Sequence, residues 1–184
     1  GLIPKGGRRL VSQCGIFEYE GRFIMITDAA INIAPDVETQ IGIVENALPV
    51  ARALGVECPK VAVLSAVENV TDKMPSTVTA REIAERGVEG CVISGPLALD
   101  GAISMESVKH KAIKDPVAGQ ADILLVPFIE IGNVLYKACS YIAGKTMAST
   151  ICGASCPVII TSRADTPDSK YYSILMAVLR CLKA

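Results

Sequence analysis

Pro157-Val158-Ile159-Ile160-Thr161-Ser162-Arg163-Ala164-Asp165-Thr166-Pro167-Asp168 carries, within twelve residues, an apolar run, a polar turn and a helix start. Residues 157–160 have the β-branched composition of a short buried strand. Thr166 followed by Pro167 supplies a hydroxyl cap and a proline at the first helical position. Such a junction presents free backbone N–H groups and the positive end of a helix dipole. Arg163 adds a full charge on a planar fork that fits phosphate or carboxylate. The stretch therefore reads as an anion pocket at the end of a strand.

Upstream, the same strand, loop, helix order repeats. Arg22–Thr27 reads as a strand running into a small-residue loop with Asp28 and Asn32, side chains that also serve turn chemistry. Asp36 caps a helix with apolar residues at Val37, Ile41, Val44, Leu48 and Leu54, ending at Gly55. Pro49 inside it predicts a kink or a restart. Lys60–Ser65 is the next strand, and Thr79 with Glu82 has capping-box spacing for a short helix to Gly87. Gly90–Ser94 is a third strand, opening into a Gly95-Pro96 turn that ends in Asp100. A helix through Met105 and His110 follows, its basic end read as a solvated face. Ile123–Pro127 is the fourth strand, leading to a helix through Tyr136 and Tyr141 to Gly144, then an apolar run from Met147 to Ile151. Near-continuous apolar strands alternating with helices define an α/β fold, a mainly parallel sheet with flanking helices. Residues 1–21 are irregular, with Pro4, Gly6, Gly7, Arg8 and Arg9 giving way to a hairpin-like alternation at Ile16, Phe17 and Tyr19.

Composition narrows the function. Of 184 residues 51% are apolar and 4% aromatic, with no tryptophan, so the core is aliphatic. Lys plus Arg number 18 against 19 Asp plus Glu, which disfavours a general nucleic-acid binder. The seven cysteines are odd in number, scattered, and set mostly in apolar segments, so they read as reduced core thiols. Cys152 and Cys156 with a lone His110 are too sparse for structural zinc, and no metal is expected. There is no membrane-length apolar span and no signal-peptide run, hence a cytoplasmic expectation and no membrane partner. No dinucleotide fingerprint follows the first strand, and no phosphate loop ends in Gly-Lys-Ser/Thr. In the final helix Tyr171, Ile174, Leu175, Val178, Leu179 and Leu182 form one apolar stripe, which requires a partner surface.

Several strand-end segments together resemble the phosphate acyltransferases, most closely the phosphate butyryltransferase branch: residues 27–35, 62–68, 95–104, 109–111, 121–127, 132–137 and 161–165. The resemblance implies reversible transfer of a short-chain acyl group between coenzyme A and inorganic phosphate, giving an acyl phosphate. Acyl-CoA is a substrate, and no permanently bound cofactor is expected. It also implies an isocitrate/isopropylmalate dehydrogenase-like two-domain fold with the site in the cleft. Residues 1–155 then form mostly the second α/β domain and 156–184 the returning strand and helix of the first. The N-terminal part of that first domain, with a further phosphate-binding arginine, is expected to be absent. The start at Gly-Leu-Ile-Pro without methionine fits a processed chain or a piece of a larger one.

By resemblance, Ser162 and Arg163 contact the transferring group, and Asp168 or Asp165 deprotonates the coenzyme A thiol. Asp28, Asn32, Gly95, Pro96, Asp100, Asn133, Tyr136 and Lys137 are candidate substrate-binding residues. A homo-oligomer, or pairing with the absent region, would cover the apolar stripe. Two other readings are a non-catalytic acyl-CoA-binding or regulatory domain of the same fold, and a purely structural assembly domain.

Overall fold

The computed structural model describes residues 10–182. Pro4, Gly6, Gly7, Arg8 and Arg9, the irregular start noted above, lie outside them. The first two strands, β1 (Ser12–Tyr19) and β2 (Arg22–Thr27), form an antiparallel hairpin. Then come α1 (Val37–Ala53), β3 (Lys60–Leu64), α2 (Pro75–Arg86), β4 (Val92–Leu97), α3 (Leu99–Ile103) and α4 (Met105–Lys111). β5 (Ile123–Leu125), α5 (Ile129–Lys137), β6 (Ala148–Cys152) and α6 (Pro167–Leu182) complete the chain. One π-helical turn, Ala138–Ile142, prolongs α5.

The six strands form one sheet in the order β4-β3-β5-β2-β1-β6. The β4-β3, β3-β5 and β5-β2 pairings are parallel; β1 runs antiparallel to both β2 and β6. The sheet is thus mixed but mainly parallel. Strand alternation divides the core. Cys14, Ile16, Met25, Val61, Val63, Ile123 and Leu125 pack with α1, Ala80 and Ile83 of α2, and Met176 of α6. Ile24, Ile26, Ala62, Leu64 and Leu124 pack on the opposite face with Ala102, Leu135 and Tyr136. This period-2 division is why the inner residues of β2, β3 and β5 form continuous apolar runs: both faces are covered.

Several expectations are corrected. Pro49 does not restart α1, which is one helix from its Asp36 cap, where the Thr39 N–H donates to Asp36 Oδ1 at 2.8 Å. Thr79 and Glu82 form no capping box; α2 begins earlier, with Pro75 in its first turn, and both residues lie inside it. Gly95 and Pro96 are not a turn but the later part of β4. A Cβ on Gly95 would lie 2.8 Å from Val63 Cβ, so the glycine serves close strand packing. The cysteines divide: Cys14 and Cys152 are buried, whereas Cys58, Cys156 and Cys181 are exposed.

The largest corrections concern the C-terminal segment. Residues 157–160 are not a buried strand: Ile159 and Ile160 are exposed, and the run meets β6 only where the Ile151 N–H donates to Val158 O at 2.9 Å. The reason lies in α6. Its buried face carries two serines beside Met176 and Ala177, with Ser169 and Ser173 accepting from the Met147 and Ser149 N–H groups at 3.2 and 2.9 Å. Arg180 donates to Ile151 O at 2.8 Å. Side chains of α6 thus cover the outer edge of β6, which would otherwise expose a row of unpaired backbone groups. Little of that edge remains for another strand. The apolar stripe consequently points outward: Tyr171, Ile174, Leu175, Val178 and Leu182 are exposed, and only Leu179 packs on the core.

Candidate active site

The parallel strands β2, β3, β4 and β5 end at one edge of the sheet, and the loops and helices that follow them build its rim. After β2 the loop turns on Asp28. Its carboxylate, 1% exposed, accepts from the Ala30, Ile31 and Asn32 N–H groups at 2.9, 3.1 and 3.0 Å, and from Asn32 Nδ2 at 2.6 Å. Asn32 Nδ2 also donates to Val11 O at 2.9 Å, tying the loop to the chain entering β1. Asp28 and Asn32 therefore shape the loop from beneath rather than presenting free groups to a ligand.

Two glycines seat α5 against this loop. A Cβ on Gly132 would lie 2.6 Å from Asp28 O and 2.9 Å from Ala29 Cα, backbone atoms that cannot give way. One on Gly15 would lie 2.5 Å from the Tyr136 ring. The same face of α5 then carries Asn133, Tyr136 and Lys137, at i, i+3 and i+4. Asn133 Nδ2 donates to Ala29 O at 3.3 Å.

Between this helix face, loop residues 29–31, β1, β6 and the returning segment lies a cavity of about 270 Å³. Gln13, Asn133, Tyr136, Lys137, Thr161 and Ser162 are among its lining residues, and among the described residues Lys137 is the lone charged side chain in that lining. Burial, followed by the neighbouring Asp165 carboxylate, pushes the Tyr136 phenol far above its ordinary range, so Tyr136 stays neutral and can donate. The wall thus offers an ammonium, amides and hydroxyls, which suits an oxyanion.

The segment 162–165 is a tight turn. The Ser162 N–H donates to Asp165 Oδ2 at 2.7 Å, the Asp165 N–H to Ser162 O at 3.1 Å, and the Ala164 N–H to Ser162 Oγ at 3.4 Å. Thr166 caps α6 as expected, accepting from the Ser169 N–H at 3.2 Å. Arg163 and Asp168 are exposed, on the turn and on the first turn of α6.

Of the candidates read from sequence, Asn133, Tyr136, Lys137 and Ser162 come together at the cavity, with Asp165 beside Tyr136. Gly95, Pro96 and Asp100 do not: the first two lie in β4 and Asp100 follows it, three strands away from β2 in the sheet order. Asp100 instead pairs with Lys111 Nζ at 3.0 Å, and this hydrogen bond lowers its carboxyl pKa. Leu99 beside it lines a separate, largely apolar cavity of about 560 Å³ with Ser65, Pro127, Glu130, Ile131 and Val134, on the other side of α5. Sequence reading missed Gln13 and Ser149. Their signal in the sequence is slight: Gln13 follows Ser12 and Ser149 precedes Thr150, so neither stands alone in an apolar run.

Fold and cavity together define an α/β domain with an oxyanion-compatible site at its strand ends. The chain belongs to the phosphate acetyl/butaryl transferase family, whose profile matches residues 2–178. It is 48% identical over 175 residues to the probable phosphate butyryltransferase of Bacillus subtilis, covering 92% of this chain and 58% of that protein. With the phosphate butyryltransferase of Clostridium acetobutylicum it shares 44% identity over 177 residues, 93% of this chain and 59% of the relative. The crystal structure of a branched-chain phosphotransacylase from Enterococcus faecalis V583 superposes with a TM-score of 0.90 at 42% identity, over 97% of this chain and 65% of the other. The chain thus spans somewhat over half the length of the curated relatives it matches.

Proposed function

We propose that this protein catalyses reversible transfer of a short-chain acyl group, butyryl or similar, between coenzyme A and inorganic phosphate. The observation that carries the reading is the convergence of Lys137, Asn133, Tyr136 and Ser162 on one oxyanion-compatible cavity in a chain of this family. In the forward reaction a phosphate oxygen attacks the thioester carbonyl, the C–S bond breaks, and coenzyme A leaves as a thiolate that takes up a proton. Lys137 and Asn133 hold the phosphate. Ser162 and Arg163 meet the transferring group, where positive and N–H groups stabilise the developing oxyanion. In the reverse direction a carboxylate takes the proton of the coenzyme A thiol. Asp165, beside Tyr136, is better placed for this than the exposed Asp168.

Within this reading acyl-CoA and acyl phosphate are substrates, no resident cofactor is required, and the protein works in the cytoplasm. No helix among the described residues is long and apolar enough to cross a membrane. The boundary near residue 155 is supported by the end of the sheet at Cys152. A homo-oligomer is supported by the outward apolar stripe of α6, which with Phe17 and Phe23 of the hairpin walls a groove of about 640 Å³. Light scattering at micromolar concentration tests that part, and a monodisperse monomer would count against it.

The activity is tested by thiol release from butyryl-CoA upon addition of phosphate, followed colorimetrically with the full gene product. Absence of phosphate-dependent release sinks the reading. The exposure of Arg163 and Asp168, outside the cavity lining, favours a second reading, a non-catalytic acyl-CoA-binding domain. Calorimetric binding of coenzyme A without turnover would support it.

A further inference from the structure

We infer that Tyr141 positions Lys137 for the substrate phosphate, its ring holding the ammonium without occupying any of the hydrogen-bond donors. The inference rests on the phosphate-binding reading above and names what keeps its lysine in place. Lys137 is the last residue of α5 and lines the cavity beside Asn133 and Tyr136. A charge on a flexible four-carbon stem swings freely in solvent, and fixing it for a ligand costs rotamer freedom. Other lysines of this chain rest on carboxylates: Lys111 lies 3.1 Å from Glu68 and 3.0 Å from Asp100, and Lys145 lies 3.6 Å from Glu18. Lys137 differs. Among the described residues it makes no hydrogen bond or ion pair, and its partner is the Tyr141 ring, whose centroid lies 5.9 Å from Nζ.

The choice of partner matters chemically. A carboxylate beside Lys137 would take up its N–H groups and cancel its charge where the oxyanion has to bind. An aromatic face attracts the ammonium through its quadrupole and leaves all three N–H donors for the ligand. The local backbone serves the same end. Directly after Lys137 the α-helix gives way to the π-helical turn Ala138–Ile142, in which the Ala143 N–H reaches back to Ala138 O at 2.9 Å. Such a turn holds one residue more than an α-helical one, which re-aims the side chains it carries, and such turns are frequent at functional sites. Tyr141 lies within it and is 60% exposed, so its ring contributes little to the core. It also sits near enough to Tyr136 to add, after burial and Asp165, to the upward push on that phenol. A ring that buries little of itself and faces a lysine with no other partner serves the lysine rather than the packing.

The test uses the full-length protein with butyryl-CoA saturating and phosphate varied. Tyr141→Ala should raise KM for phosphate about two- to fivefold, the range expected for an exposed cation–π contact. Turnover and KM for butyryl-CoA stay level, because a contact made equally in ground and transition states moves KM alone. Tyr141→Phe keeps the ring face and should match the wild type. Tyr141→Leu keeps apolar bulk without the quadrupole and should match Tyr141→Ala. A wild-type phosphate KM in a folded Tyr141→Ala or Tyr141→Leu, or a raised one in Tyr141→Phe, overturns the proposal. If Tyr141→Ala does not fold, Tyr141→Leu carries the test on the same terms. A double-mutant cycle assigns the effect: in a Lys137→Met background Tyr141→Leu should change phosphate KM no further, and an additive rise overturns the proposal. Should the wild type release no thiol at all, the acyl-transfer reading fails by itself. Calorimetry with inorganic phosphate then decides Tyr141 separately: weaker binding to Tyr141→Leu than to the wild type supports its role, and equal binding or none to either overturns it.

Discussion

Replacing Asp28 with Ala should unfold the rim of the site before it touches the chemistry. The carboxylate accepts from three backbone N–H groups and the Asn32 amide, and its side chain is almost fully inaccessible. Stranding a buried donor costs about 1–3 kcal/mol, and bonds to a charged acceptor lie at the upper end. Ala30 is exposed and Ile31 and Asn32 half-buried, so water can re-satisfy part of what is lost. The full sum over four donors is therefore too large, and about 3 kcal/mol is the expected loss. For a chain of this size that lowers the unfolding midpoint by roughly 6–12 °C. Asp28→Asn keeps the shape but turns an NH₂ group toward donors, and should lose a comparable amount. Differential scanning calorimetry reads the effect, with phosphate KM measured at a temperature where both proteins remain folded. An Asp28→Ala midpoint within about 2 °C of wild type, together with a collapse of phosphate affinity, would refute the reasoning and make Asp28 a ligand of the substrate.

Arg163→Ala should lower turnover by about 10²–10³ with little change in stability, since the residue is exposed on the 162–165 turn; an equal loss of folding would make Arg163 structural. Gly132→Ala should cost about 1–3 kcal/mol in urea titration, because the new methyl meets the backbone at Asp28 and Ala29; an unchanged midpoint would remove the glycine's seating role. Burial pushes the Cys91 thiol from 9.0 up to about 11. The folded value is the higher one, so this contribution is intact below about pH 9 and is lost as pH rises toward 11, where the unfolded chain ionises first. Cys91→Ala should flatten that part of the stability profile, and an identical alkaline decline would contradict the assignment. Under native conditions a thiol reagent should modify Cys58, Cys156 and Cys181 rapidly and spare Cys14 and Cys152; mass spectrometry showing early label on the buried pair would overturn the packing of β1 against β6.

Local pattern determined much of this protein. The aliphatic runs of β2, β3 and β5, the Asp36 and Thr166 caps and the Pro167 helix start were legible because each depends on neighbours a few residues away. The family motifs were likewise legible as ordered short segments, and with them Asn133, Tyr136, Lys137 and Ser162. The tertiary structure decided which of those segments share a cavity. Strand order is set by pairings remote in sequence, and it leaves Gly95, Pro96 and Asp100 beyond two intervening strands from β2. It also decided the orientation of α6: its serines and Arg180 satisfy the outer edge of β6, so its apolar stripe faces away. Hydrophobic periodicity could not forecast that, because the demand comes from backbone groups more than twenty residues upstream. Gln13 is the same case at greater range, a polar residue of β1 whose partner, Ser149, lies 136 positions away.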